Sequence, residues 1–224
     1  MQIRTTRIFL SCIALILPAI IASADTVEIR LIGIETMRRD LYIKQGDEFE
    51  EVMVPLYERS SSYEVEPEGN SLQLYKKNET PEGTILFEIA AEGKLPSGAQ
   101  SALGVYLIAP DGSPRLQFFN DDWSVFPKRS YRIINISPVV IKSKIDDSII
   151  QIPPLQSGIA SANQVNDVPT VSVITVYKNG NDTWQAIHDK RETLLPDWRT
   201  TGIAVVTTGK LYEVLDTDYT IDPA

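Results

Sequence analysis

The chain has one histidine, His188, and one cysteine, Cys12, so chemistry that depends on an imidazole or a thiol has very few places to start. Asp189 follows His188, but neighbours on a strand point to opposite faces, which makes Asp189 a poor orienter for the imidazole of a nucleophilic triad. No Gly-x-Ser-x-Gly elbow occurs anywhere. A zinc centre of the usual kind needs several His or Cys ligands, more than the chain offers. Calcium takes oxygens, and Asp216, Asp218 and Asp222 are spaced closely enough to supply them, though without the glycine and ligand order of an EF-hand loop. Asp121-Asp122 and Asp146-Asp147 read as turn residues that bond their own backbone. A glycosidase would need two carboxylates held several ångströms apart, and among 30 acidic residues nothing singles out a pair. Sugar binding would draw on aromatic faces, for which Trp123, Trp198 and Tyr131 are the candidates, against core packing as the usual fate of such rings. No phosphate-binding glycine loop or dinucleotide fingerprint is present, and no cofactor is expected.

The first residues carry a different kind of information. Arg4 and Arg7 precede the apolar run Ile8 to Ile21, Pro18 interrupts it, and Ala22-Ser23-Ala24 supplies the small residues of a signal-peptidase site. The run is shorter than the roughly 20 residues a membrane span needs. We expect residues 1–24 to be a signal peptide and the protein to be exported, periplasmic or extracellular. Cys12 lies within that run, so the exported chain would contain no disulfide. Cleavage after Ala24 removes two arginines and no acidic residue, which takes the net charge from −9 to −11. Such a balance disfavours nucleic acid, whose affinity rests on Lys and Arg neutralising phosphates, and anionic membrane surfaces for the same reason. No later apolar stretch approaches a span.

The elements that would position any site are short strands. Val27, Ile29 and Leu31 alternate with charged residues, and similar runs follow at 41–43, 51–54, 63–65, 72–75, 84–90, 103–109 and 115–119, separated by Gly, Pro, Asn and Asp clusters. Further runs lie at 131–138, 139–145, 149–152, 171–177, 183–189, 203–207 and 211–215. Lys178-Asn179-Gly180-Asn181 is a hairpin signal. Trp184, Ile187, Arg191 and Leu195 also fit a helical period, but Trp184, Ala186 and His188 alternate directly after that turn, so a strand is expected. Residues 156–168, small and polar, read as a loop. These features predict an all-β chain, an antiparallel sandwich with immunoglobulin-like architecture, forming a single domain over 25–219 with 220–224 as a tail. The expected core includes Ile29, Leu31, Phe87, Tyr106, Ile133, Ile174 and Trp184. No internal repeat is evident.

The block Phe126-Pro127-Lys128-Arg129-Ser130-Tyr131-Arg132-Ile133-Ile134-Asn135-Ile136-Ser137-Pro138, with the stop Ile152-Pro153-Pro154, resembles one in uncharacterised exported bacterial β-sandwich proteins. Trp184 with Arg191, then Pro196-Asp197-Trp198-Arg199-Thr200, resembles their C-terminal block. That pattern has Gly near position 129, where this chain has Arg129. The resemblance implies a fold and a compartment but assigns no activity. The sequence therefore points to a non-catalytic envelope or secreted module that meets an envelope protein or, alternatively, a glycan; a carboxylate-dependent hydrolase is the third reading.

Overall fold

The computed structural model describes residues 26–67, 69–161, 170–195 and 197–215. The expected signal peptide, the 220–224 tail and most of the expected loop lie outside them. Eight strands form a first set: β1 (Val27–Gly33), β2 (Arg38–Gln45), β3 (Glu48–Val54), β4 (Tyr63–Val65), β5 (Ser71–Glu79), β6 (Ile85–Lys94), β7 (Ser101–Ile108) and β8 (Pro114–Asn120). Eight more follow: β9 (Ser130–Asn135), β10 (Ile141–Ile145), β11 (Ser148–Ile152), β12 (Gln156–Ser161), β13 (Thr170–Lys178), β14 (Trp184–Thr193), β15 (Thr200–Val205) and β16 (Lys210–Leu215). A single 3-10 turn, Val206–Thr208, is the helical content of the described residues. The chain is all-β, as its alternation requires.

The two sets have one topology. The first forms sheets β4-β1-β7-β8 and β3-β2-β5-β6, and the second forms β12-β9-β15-β16 and β11-β10-β13-β14. Adding eight to each strand number converts one half into the other, and no sheet contains strands of both. Where one sandwich was expected over 25–219, there are thus two consecutive sandwiches of the same strand order, meeting between Asn120 and Ser130. Part of the expected loop is itself a strand, since β12 pairs with β9 from Gln156↔Asn135 to Ser161↔Ser130. Its small residues answer to packing: a Cβ on Gly158 would stand 2.9 Å from Ile150 Cδ1. The sheets are not wholly antiparallel either, because β1 runs parallel to β7 and β9 to β15. Strands so distant in sequence need no hairpin between them, which frees their direction.

The registers align β1 with β9 and β7 with β15 residue by residue. Leu31 pairs with Gly104 and Ile133 with Gly202. Ile29-Arg30-Leu31-Ile32-Gly33 of β1 with the following Ile34 therefore falls on Tyr131-Arg132-Ile133-Ile134-Asn135 of β9 with the following Ile136, sharing Arg, the second Ile and the last Ile. After β3 and β11, Val54-Pro55-Leu56-Tyr57 matches Ile152-Pro153-Pro154-Leu155. Tyr57 and Leu155 both adopt positive φ, 58° and 57°, and their amides donate to the carbonyls of Gly33 and Asn135. Arg129, standing where the resembled pattern has glycine, likewise has φ 59°.

Alternation gives each sheet an inner and an outer face. Val27, Ile29 and Leu31 pack against Leu41, Ile43, Val52 and Leu74 inside the first sandwich. Tyr131 and Ile133 pack against Ile141, Ile145, Val171 and Val173 inside the second. A third core joins the sandwiches: Ile32, Ile34, Leu103, Val105 and Phe119 meet Ile134, Ile203 and Val205. The molecule is consequently four sheets deep, with β3-β2-β5-β6 on one outside and β11-β10-β13-β14 on the other. Of the expected core, Ile29, Leu31, Tyr106 and Ile133 are buried. Phe87, Ile174 and Trp184 instead lie on the outer faces.

Candidate functional site

His188 lies on the inner face of β14 and is 8% exposed. Its Nε2 is 3.2 Å from Oε1 of Glu192. Burial pushes the imidazole pKa below its ordinary value, although the Glu192 carboxylate resists. Asp189 is exposed and pairs with Ile174 in the ladder, away from the imidazole. Tyr131 is fully buried, so burial withdraws it from the set of sugar-stacking candidates. Trp198 is partly buried against the second core. Trp123 is also partly buried, and the Arg199 guanidinium carbon sits 3.9 Å from its ring centroid. The calcium candidates Asp216, Asp218 and Asp222 lie outside the described residues. Among the described residues, no group of three His, Cys, Asp or Glu is placed to hold a metal ion.

The acidic pair at 121–122 does more than close a turn. Asp121 follows β8 and is the centre of a buried ionic cluster at the junction of the sandwiches. Its Oδ2 accepts from Arg59 Nη1 at 2.5 Å and from Arg199 Nη2 at 3.2 Å, and its Oδ1 accepts from Arg132 Nη2 at 2.7 Å. Each arginine comes from a different element. Ser60 bonds Leu31 of β1 through both its backbone and its Oγ, which seats Arg59; Arg132 is on β9, and Arg199 immediately precedes β15. Further bonds fix them: Arg132 Nη1 donates to the Asn120 carbonyl at 2.9 Å, its Nε to Thr201 Oγ1 at 3.2 Å, and Arg199 Nη1 to the carbonyls of Asp121 and Phe126. The Phe126 ring lies 4.3 Å from the Arg132 guanidinium carbon. Burial pushes the Asp121 pKa up, but the three guanidinium groups outweigh it and hold the carboxyl well below the usual range. Arg132 falls to about 10, burial outweighing Asp121. Asp122 accepts from the Gln100 and Ser101 amides, and Asp146 from the Ser172 amide. These groups are committed to structure.

The two outer faces carry exposed apolar and charged side chains. On β3-β2-β5-β6, the Phe49 and Phe87 rings stack at 3.8 Å, with Tyr42 edge-on to Phe87 and Tyr75 edge-on to Phe49. Their faces are thus used on one another. Around them Met53, Ile85 and Ile89 stay exposed, Ile89 to 56% and Ile85 to 49%, the last two on the edge strand β6. On β11-β10-β13-β14 the corresponding face carries Lys142, Lys144 and Lys178, with Ile149 and Trp184 exposed. Lys142 Nζ and Lys178 Nζ lie 4.8 and 5.5 Å from the Trp184 ring centroid.

Among the described residues no helix is long and apolar enough to cross a membrane. No family model and no curated protein matches the chain. Among solved structures it is similar to the crystal structure of a putative adhesin from Bacteroides ovatus, at 10% identity over 89% of this chain and 95% of that one. The TM-score is 0.21, so loose a superposition that it carries no function across.

Proposed function

We propose that the protein is an exported, non-catalytic envelope module that acts by contact with a partner protein, through the outer face and edge of its first sandwich. The observation that carries this reading is the exposed apolar rim of Ile85, Ile89 and Met53 on β6 and β3, beside an aromatic cluster that is already packed upon itself. Exposed apolar area rimmed by polar residues marks association sites, and a long apolar edge strand can accept a partner strand. The equivalent edge in the second sandwich, β14, carries Asp189, Lys190 and Arg191 instead, as protected edges do. A glycan reading needs an open ring face. Phe49 and Phe87 cover each other, while Trp123 and Trp184 are faced by cations. A carboxylate hydrolase needs an available acid, and Asp121 is enclosed by arginines.

The test compares tagged wild type with the double variant Ile85→Asp/Ile89→Asp as baits in pull-downs from native envelopes, beside a glycan-binding screen. Both side chains are exposed, so the variant should keep its melting temperature while losing the proteins the wild type retains. Equal capture by both baits, or retention of glycans alone, would overturn the protein-contact reading.

A further inference from the structure

The two outer faces occupy equivalent positions in the two sandwiches, which allows a comparison within the chain. The β2–β3 and β10–β11 turns have the same register, Lys44↔Phe49 matching Lys144↔Ile149 in the ladder. The hairpin turns after β5 and β13 close with the same bonds, Thr80 to Thr84 and Asn179 to Thr183. By these matches Tyr42 becomes Lys142, Glu51 becomes Gln151, Glu79 becomes Lys178, and Ile85 becomes Trp184, while Lys44 stays as Lys144. The face of the first sandwich balances Lys44, Lys77 and Lys94 against Glu51, Glu79 and Glu92. That of the second presents Lys142, Lys144, Lys178 and Arg191 against Asp189 on its edge strand. Asp182, in the neighbouring turn, approaches Lys178 Nζ at 2.5 Å. Lys142 and Lys144 have no carboxylate within ion-pair distance among the described residues.

A cationic face has therefore been built on a molecule whose formal charge is −9. Between its lysines it exposes apolar side chains: Ile149 is 71% and Trp184 42% exposed. Lysine stems beside Ile and Trp suit the boundary between anionic headgroups and acyl chains, where lysine snorkels and indole is at home. An anionic polymer would use the charges and leave Ile149 in water. We infer that the outer face of β11-β10-β13-β14 docks on an anionic lipid surface. The net negative charge of the remainder orients the molecule with this face toward such a surface, and the opposite outer face, with β6, is turned away from the bilayer. Net charge had argued against anionic membranes, but its average conceals this segregation. The inference does not rest on the protein-contact reading, which concerns the other side of the molecule.

Co-sedimentation of the full exported chain with phosphatidylglycerol/phosphatidylcholine vesicles, against phosphatidylcholine alone, tests it. Binding should require phosphatidylglycerol and weaken with added salt. Each lysine at such a surface is worth about fivefold, so Lys142→Gln/Lys144→Gln should lower the partition coefficient roughly 25-fold, and Ile149→Ser should lower it without altering the salt dependence. Melting temperatures of the variants confirm that they are folded. Ile85→Asp/Ile89→Asp, on the far face, should bind vesicles like wild type, which separates failure of this inference from failure of the proposed protein contact. Absence of vesicle binding, equal binding to neutral vesicles, unchanged binding by the lysine variant, or binding to dextran sulfate without binding to vesicles would each overturn it.

Discussion

Asp121 is one carboxylate among three guanidinium groups, and that ratio decides how its loss is felt. Removing one partner of a buried ion pair costs about 3–5 kcal/mol because the remaining charge is left uncompensated, and here three arginines would lose their common acceptor. Asp121→Asn should lower unfolding stability by about that amount in urea titrations. Its pH dependence has a definite sign. A carboxyl held below its unfolded pKa of about 3.9 contributes stability fully above that pH and loses it as pH falls toward the folded value. Wild type should therefore lose stability more steeply than Asp121→Asn below about pH 4; parallel curves would deny the cluster its electrostatic role. None of this was legible in the sequence. Arg59, Arg132 and Arg199 stand far apart along the chain, and Asp121-Asp122 has the composition of an ordinary turn.

Strands were far more legible than the faces they present. Alternation located nearly every one, including β14, whose helical spacing was misleading. The exceptions have physical causes. Trp184, Ala186 and His188 alternate as one face, but the register shift in the β13–β14 ladder skips Ile187 and turns His188 inward while Trp184 stays out. A shift in β5–β6 similarly leaves Phe87 outside and Ala91 inside. The strand β12 passed for a loop because close packing had made it small. The repeat is not legible in the sequence because its halves share geometry more than residues, apart from positions such as Gly104 and Gly202. Each faces its equivalent neighbour on β1 or β9, and the spaces differ: a Cβ on Gly104 would stand 2.7 Å from Phe118 Cε1 and 2.8 Å from Leu31 Cδ2, whereas on Gly202 the nearest atom is Ile133 Cδ1 at 3.0 Å. Overpacking costs about 1–3 kcal/mol. Gly104→Ala should fall toward the upper end and Gly202→Ala toward the lower, as equilibrium unfolding in urea would show; the reverse order would mean that the β1–β7 side yields more easily than its contacts suggest.

The interface between the sandwiches brings equivalent positions together: Ile32 and Ile134, Ile34 and Ile136, Val105 and Ile203 all belong to the same core. Such self-matching is the property of an isologous dimer interface, here enclosed in one chain. The symmetry is broken where it matters for charge. Leu103 is apolar, while its counterpart Thr201 accepts from Arg132, so the Asp121 cluster forms on one side of the shared core. The apolar core and the cluster together should make the sandwiches unfold as one unit, and this can be read directly. Trp123, Trp184 and Trp198 are the three tryptophans, at the junction and in the second sandwich, so their fluorescence reports that side while far-UV circular dichroism reports both. In wild type the two denaturation curves should coincide. Ile203→Ala, expected to cost about 2–5 kcal/mol through lost burial and a cavity, combined with Asp121→Asn, weakens both parts of the junction and should pull the curves apart into two transitions. Coincident curves in the double variant, shifted but undivided, would place the coupling elsewhere than in this core and its ionic cluster.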